Sequence, residues 1–195
     1  MGIGCCCARD RCRVGYLFVK YPDAGPVPDL SVQATPERLA RGAYLANHVS
    51  VCIDCHSTRN WEYFSGPPVA GTEGKGGEVF DESLGFPGTI YAHNITPAAL
   101  GSVNDGVVYR AIATGVDKNG KAMFPLMPYQ HINLMSEEDI LSIIAYIRKL
   151  KPIENSPLLT TLKFPMNLEG CCVEASAKSA VPIERPTMPA FANQF

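Results

Sequence analysis

Val51-Cys52-Ile53-Asp54-Cys55-His56-Ser57 is the stretch on which the reading of this chain turns. Cys52, Cys55 and His56 spell C-x-x-C-H. Two thiols three positions apart, near the end of a helix, reach the two vinyl groups on one edge of a haem and become thioethers. The adjacent histidine is then held under the iron and supplies an imidazole nitrogen. The spacing therefore predicts one covalently attached haem c per chain, with His56 as an iron ligand. Two other chemistries use C-x-x-C. A redox dithiol sits beside a βαβ pattern, and none surrounds this pair. Half a zinc site needs a second ligand pair, and the sequence has no other C-x-x-C and no H-x-H.

An iron so held needs a sixth partner. The best candidate is Met127, in Phe124-Pro125-Leu126-Met127-Pro128-Tyr129. Prolines on both sides keep this segment extended and stiff, as a loop that fixes one side chain over a metal must be. Met123 and Met135 are runners-up. Met135 also suits a hydrophobic staple at the next helix, and Met127 itself suits a buried gap-filler. His48, one turn before the motif, reads as a helix-end cation or surface residue. His93 and His131 lie in loops, and either is an alternative ligand because haem iron accepts varied axial partners.

Outward from the motif, three helices are expected. The first opens at Thr35 as N-cap, with Pro36 at the first helical position and Glu37 at the positive helix start. Leu39, Gly42, Ala43 and Ala46 then recur at i, i+3, i+4, i+7, a stripe of small residues that lets another helix come close. The second runs from about Asp105 to Thr114 and stops at Gly115. The third is capped by Ser136, carries Glu137, Glu138 and Asp139 in its first turn, and presents Ile140, Ile143, Ile144 and Ile147 on one face before Pro152. Residues 65–90 are dense in glycine and proline and read as irregular loop, long enough to wrap a flat apolar cofactor. Three parts are expected: a lead-in over 1–30, the haem domain over 31–155, and a connector and tail over 156–195.

Composition bounds the rest. With 18% charged and 46% apolar residues among 195, the chain is globular. Residues 31–155 hold ten Lys/Arg against thirteen Asp/Glu, a net of −3, which argues against a nucleic-acid partner. Six further cysteines, Cys5, Cys6, Cys7, Cys12, Cys171 and Cys172, lie toward the two ends and yield no predicted pairing. No run approaches the ~18–20 apolar residues of a membrane span.

Taken together, Leu39-Ala-Arg-Gly-Ala-Tyr-Leu-Ala46, the Cys52–His56 motif, Asn94-Ile-Thr-Pro97, Tyr109-Arg-Ala-Ile-Ala-Thr-Gly115, Phe124–Tyr129 and Ser136-Glu-Glu-Asp-Ile140 resemble the class I cytochromes c. The resemblance covers about 31–168 and is to the cytochrome domains that serve bacterial dehydrogenases and related multi-haem electron carriers. It implies an all-α fold, three main helices with long loops around the haem, in which the first and last helices cross, Gly42 and Tyr44 meeting Ala145 and Tyr146. It implies Met127 in the axial place and one-electron transfer between a dehydrogenase or other redox protein and a respiratory acceptor. No catalytic activity of the chain's own is then expected. The rival class is a peroxidase-like haem enzyme with an open sixth position. The resemblance also implies a periplasmic or periplasm-facing place, with membrane association through an N-terminal anchor. Gly15–Pro22 is similar to the far end of such a lead, but Met1–Arg13 is not an ordinary signal peptide. Leu162–Leu168 resembles a connector, after which the pattern stops; a truncated or frame-altered gene, an assembly artefact or real divergence each accounts for both ends.

Overall fold

The computed structural model describes residues 24–164 and Met166. The lead-in before Ala24, most of the tail, and the six terminal cysteines lie outside the described residues. Among the described residues six α-helices follow one another: α1 (Pro36–Tyr44), α2 (Cys52–Cys55), α3 (Pro97–Leu100), α4 (Asp105–Thr114), α5 (Tyr129–Ile132) and α6 (Glu137–Ile147). A five-residue π-helical stretch, Leu45–Val49, continues α1.

The long helices begin and end where local chemistry directs. Thr35 accepts a hydrogen bond from the Arg38 N–H at the start of α1, and Ser136 accepts one from the Asp139 N–H at the start of α6. Helix α4 ends at Gly115, which takes the left-handed conformation. Each cap satisfies a backbone group that the helix itself leaves unpaired. Ser136→Ala is expected to lower stability by about 1 kcal/mol. The check is a lower denaturant midpoint at unchanged slope.

Helix α1 packs on α6. Their contact is close at Gly42, where an added Cβ would stand 1.9 Å from the Ser142 carbonyl oxygen and 2.9 Å from the Tyr146 Cβ. Leu45, Ala46, Val108, Ile112, Ile140, Ile143, Ile144 and Ile147 form the buried core between α1, its π-helical extension, α4 and α6. Tyr44, the other implied crossing residue, is not part of the buried core. It is exposed, with its ring against His48 and Arg41. Arg38 pairs with Glu138 and Arg41 with Asp139 across the helix pair, fixing its register more than its stability. At the other end of α6, Arg148 pairs with Asp105 and donates to the carbonyls of Leu100 and Val103.

The all-α expectation is corrected by a three-stranded antiparallel sheet, β1 (Val79–Phe80), β2 (Gly88–Tyr91) and β3 (Thr161–Leu162), in that order. Val79 faces Tyr91 and Phe80 faces Ile90; Gly88 faces Leu162 and Thr89 faces Thr161. A 3-10 turn, Glu82–Leu84, joins β1 to β2. The segment 65–90, read as loop, therefore holds β1 and most of β2. The physical reason is that its extended backbone must find partners for its N–H and C=O groups, and Thr89, Ile90 and Tyr91 are β-branched or aromatic residues suited to a pleated ladder. The third strand comes from the connector after α6.

Candidate functional site

A hollow of about 810 Å³ lies among α2, the sheet and the loop before α5. This falls in the ~300–1,000 Å³ range of cofactor and ligand sites. Interiors otherwise pack with few voids larger than a water molecule. Phe80, Ile90, Leu126, Ile132 and Leu162 give it an apolar lining.

Cys52, Cys55 and His56 line this hollow, and so does Met127. The structure thus brings all four predicted residues to one wall system from positions over seventy residues apart. Met123 and His93 line it too; His48, His131 and Met135 do not. Met135 packs on the core beside Ile140 and its sulfur receives the Ser50 hydroxyl, in keeping with a staple role. Met127 is half-buried against the same core. Its carbonyl accepts the N–H of Tyr129, a fully buried side chain that anchors the loop.

The local geometry of the motif starts at Val51. This β-branched residue adopts the left-handed conformation, with φ +46°, between the π-helical stretch and α2. Such backbone costs on the order of 1–3 kcal/mol and collects at functional sites. It turns the chain so that the single turn of α2 starts at Cys52. No sequence signal announces it.

His56 is oriented by a neighbouring backbone carbonyl. Its Nδ1 lies 2.6 Å from the His93 carbonyl oxygen. A carbonyl only accepts, so Nδ1 carries the proton and Nε2 keeps a free lone pair. Burial pushes the imidazole pKa below its usual value and so favours the neutral ring, against the pull of that hydrogen bond, which favours the charged one. A neutral imidazole with one nitrogen tied to a carbonyl is the form a metal takes up. Sequence reasoning weighed the ring of His93 as a ligand; the structure uses its backbone oxygen.

The two thiols are shifted away from the range of a redox dithiol. Burial, helped by neighbouring Cys55, pushes the Cys52 thiol up to about 12. Burial raises Cys55 as well, partly offset by the Arg59 guanidinium. A redox dithiol has its attacking thiol shifted the other way, to ~3.5–7.5. Among the described residues, no cluster of three His, Cys, Asp or Glu side chains stands ready to hold a metal ion. The site fits a haem: thiols and a pre-oriented imidazole on one apolar hollow, with a thioether side chain in the same lining.

No family model matches the chain. Curated relatives do. The chain is 29% identical over 140 residues to the gluconate 2-dehydrogenase cytochrome c subunit of Pantoea cypripedii, a match covering 70% of this chain and 29% of that protein. It is 28% identical over 152 residues to the fructose dehydrogenase cytochrome subunit of Gluconobacter japonicus, covering 75% of this chain and 28% of that one. It is 29% identical over 134 residues to the cytochrome c subunit of the quinone-type alcohol dehydrogenase of Gluconobacter oxydans, covering 67% and 25%. The chain spans less than a third of the length of each of these relatives. Motif, hollow and relatives agree that this chain holds a cytochrome c-like domain similar to the cytochrome c subunits of bacterial dehydrogenases.

Proposed function

We propose that the chain is a one-electron carrier, with haem c bound through Cys52 and Cys55, axial ligands His56 and Met127, and a redox protein such as a dehydrogenase as partner. The observation that carries this reading is the single hollow lined by all four residues, with His56 Nδ1 held by the His93 carbonyl. Haem supplies the one-electron ferric/ferrous couple. The chain's own work is to bind, orient and exclude water. Cys52 and Cys55 hold the cofactor by one edge. His56 presents Nε2, fixed in tautomer by His93. Met127, stiffened by Pro125 and Pro128, offers a thioether sulfur, a choice of ligand that raises the potential. The apolar walls from Phe80, Ile90 and Leu162 keep water from the site and raise the potential further. A periplasm-facing place belongs to the same proposal. The partner would meet the domain through a small transient interface.

The peroxidase-like alternative needs an open sixth position and a polar group beside it. Two methionines line the hollow, while the one histidine there besides His56, His93, is exposed. The test is an optical spectrum of the holoprotein before and after reduction, produced with a working export signal and the haem-attachment machinery. The expected result is a sharp ferrous α band and a weak far-red ferric band. The far-red band disappears in Met127→Ala and survives in Met123→Ala, and the midpoint potential of Met127→Ala falls. A far-red band that survives in Met127→Ala removes Met127 from the axial place.

A further inference from the structure

The carbonyl that orients His56 is itself held by a clamp whose outer strand, residues 74–78, does not line the hollow. Residues 74–78 run antiparallel to residues 92–95: Gly77 N–H donates to Ala92 O at 2.8 Å, Ala92 N–H to Glu78 O at 2.9 Å, and Ile95 N–H to Gly74 O at 2.8 Å. Gly76 lies inside this pairing with φ +73°. Its N–H donates to the His56 carbonyl at 2.7 Å. A Cβ there would stand 2.5 Å from the His93 carbonyl carbon and 2.6 Å from its oxygen. Gly76 is therefore pressed on the peptide whose oxygen accepts from His56 Nδ1, while gripping the His56 backbone.

One residue fastens both strands of this pairing to the segment after α6, by its side chain to the first and by its backbone carbonyl to the second. Asn155 Nδ2 donates to the Lys75 carbonyl at 3.0 Å and the Gly76 carbonyl at 3.3 Å. The Asn155 carbonyl accepts from Asn94 Nδ2 at 3.1 Å, and the Ile153 carbonyl accepts from the same nitrogen at 2.8 Å. Asn94 is buried and follows His93 directly; its Oδ1 takes the Thr96 N–H and hydroxyl. Both ends of the amide–carbonyl bridge are thus anchored, one at Gly76 and one at Asn94, on either side of the His93 peptide.

We infer that Asn155 is a positioning residue for the haem iron: through Gly76 its side chain sets the His93 carbonyl against His56 Nδ1, and so tunes the electron donation of Nε2. This rests on His56 being the iron ligand. A firm Nδ1–H···O bond makes the imidazole a stronger donor and favours the ferric state. Loosening the clamp weakens that bond and favours the ferrous state. Asn155 contributes nothing to the lining of the hollow, so a shift in potential on its replacement travels through the clamp.

The experiment compares wild type, Asn155→Ala and Asn155→Ser holoproteins by intact mass, redox titration and the proton NMR position of His56 Nδ1–H in the reduced state. The expected result is a retained covalent haem mass and sulfur-ligated spectrum, with the midpoint moved upward and the Nδ1–H resonance displaced in both variants. The ferric-to-ferrous ratio at a fixed potential should fall roughly threefold to tenfold, tenfold being about 59 mV for a one-electron couple. An unmoved potential and resonance in a variant that keeps its haem overturns the role of Asn155 and leaves the carrier reading intact. Where Asn155→Ala does not accumulate, Asn155→Ser decides by the same two readouts. A wild-type chain without covalent haem overturns the carrier reading and this inference together.

Discussion

Gly42→Ala is expected to destabilise the haem-loaded domain by roughly 3 kcal/mol or more. Two opposing effects set the sign. Alanine in a helix interior is intrinsically better than glycine by ~1 kcal/mol. Against this, the new methyl would sit 1.9 Å from the Ser142 carbonyl oxygen and 2.6 Å from its carbon. Those atoms are helix backbone and cannot rotate aside. Helix α1 would have to lift from α6, parting Leu45 and Ala46 from Ile143 and Ile144, all buried in one cluster. Lost packing over several buried residues outweighs one residue's propensity. The measurement is the denaturant midpoint of the holoprotein. An unchanged or higher midpoint would mean that α1 and α6 stand further apart than described.

The second large effect concerns attachment. The double variant Cys52→Ser, Cys55→Ser is expected to lose all covalent haem, so that its intact mass is that of the polypeptide alone. Each single variant should keep a cofactor held by one bond and give a smaller yield. Stability should fall with it, because a group that binds only the folded chain stabilises it in proportion to the logarithm of its saturation. A hollow of about 810 Å³ that has lost its occupant leaves Phe80, Ile90 and Leu162 facing water. Acidified organic solvent separates the cases: haem extracts from the double variant and stays with wild type. Covalent haem that persists in the double variant would sink the thioether assignment.

The parts of this fold that were legible are those whose cause is local. Thr35, Ser136 and Gly115 mark helix ends because a cap is made within four residues of itself. Ile140, Ile143, Ile144 and Ile147 declare the buried face of α6 by their spacing alone. The sheet was not legible. Its strands are two to four residues long, too short for alternation to register, and β3 finds its partner some seventy positions away. The candidate site divides along the same line. Cys52, Cys55 and His56 are a contiguous motif, and Met127 stands in a stretch whose prolines mark it. The His93 carbonyl, the left-handed Val51 and the clamp at Asn155 carry no such mark. Any residue supplies a carbonyl, and a backbone conformation has no letter.

The place of β3 bears on the order of events as the chain is made. Leu159, Thr160 and Leu162 line the hollow, yet they are synthesised about a hundred residues after His56. At ~5–20 residues per second, the attachment motif waits roughly 5–20 s before its last wall exists. During that interval the thiols of Cys52 and Cys55 lack the enclosure that the finished domain gives them. Under the proposed haem reading, a chain that meets its cofactor before β3 has docked offers an open cleft, and one that meets it afterwards offers a cleft already bordered by three strands.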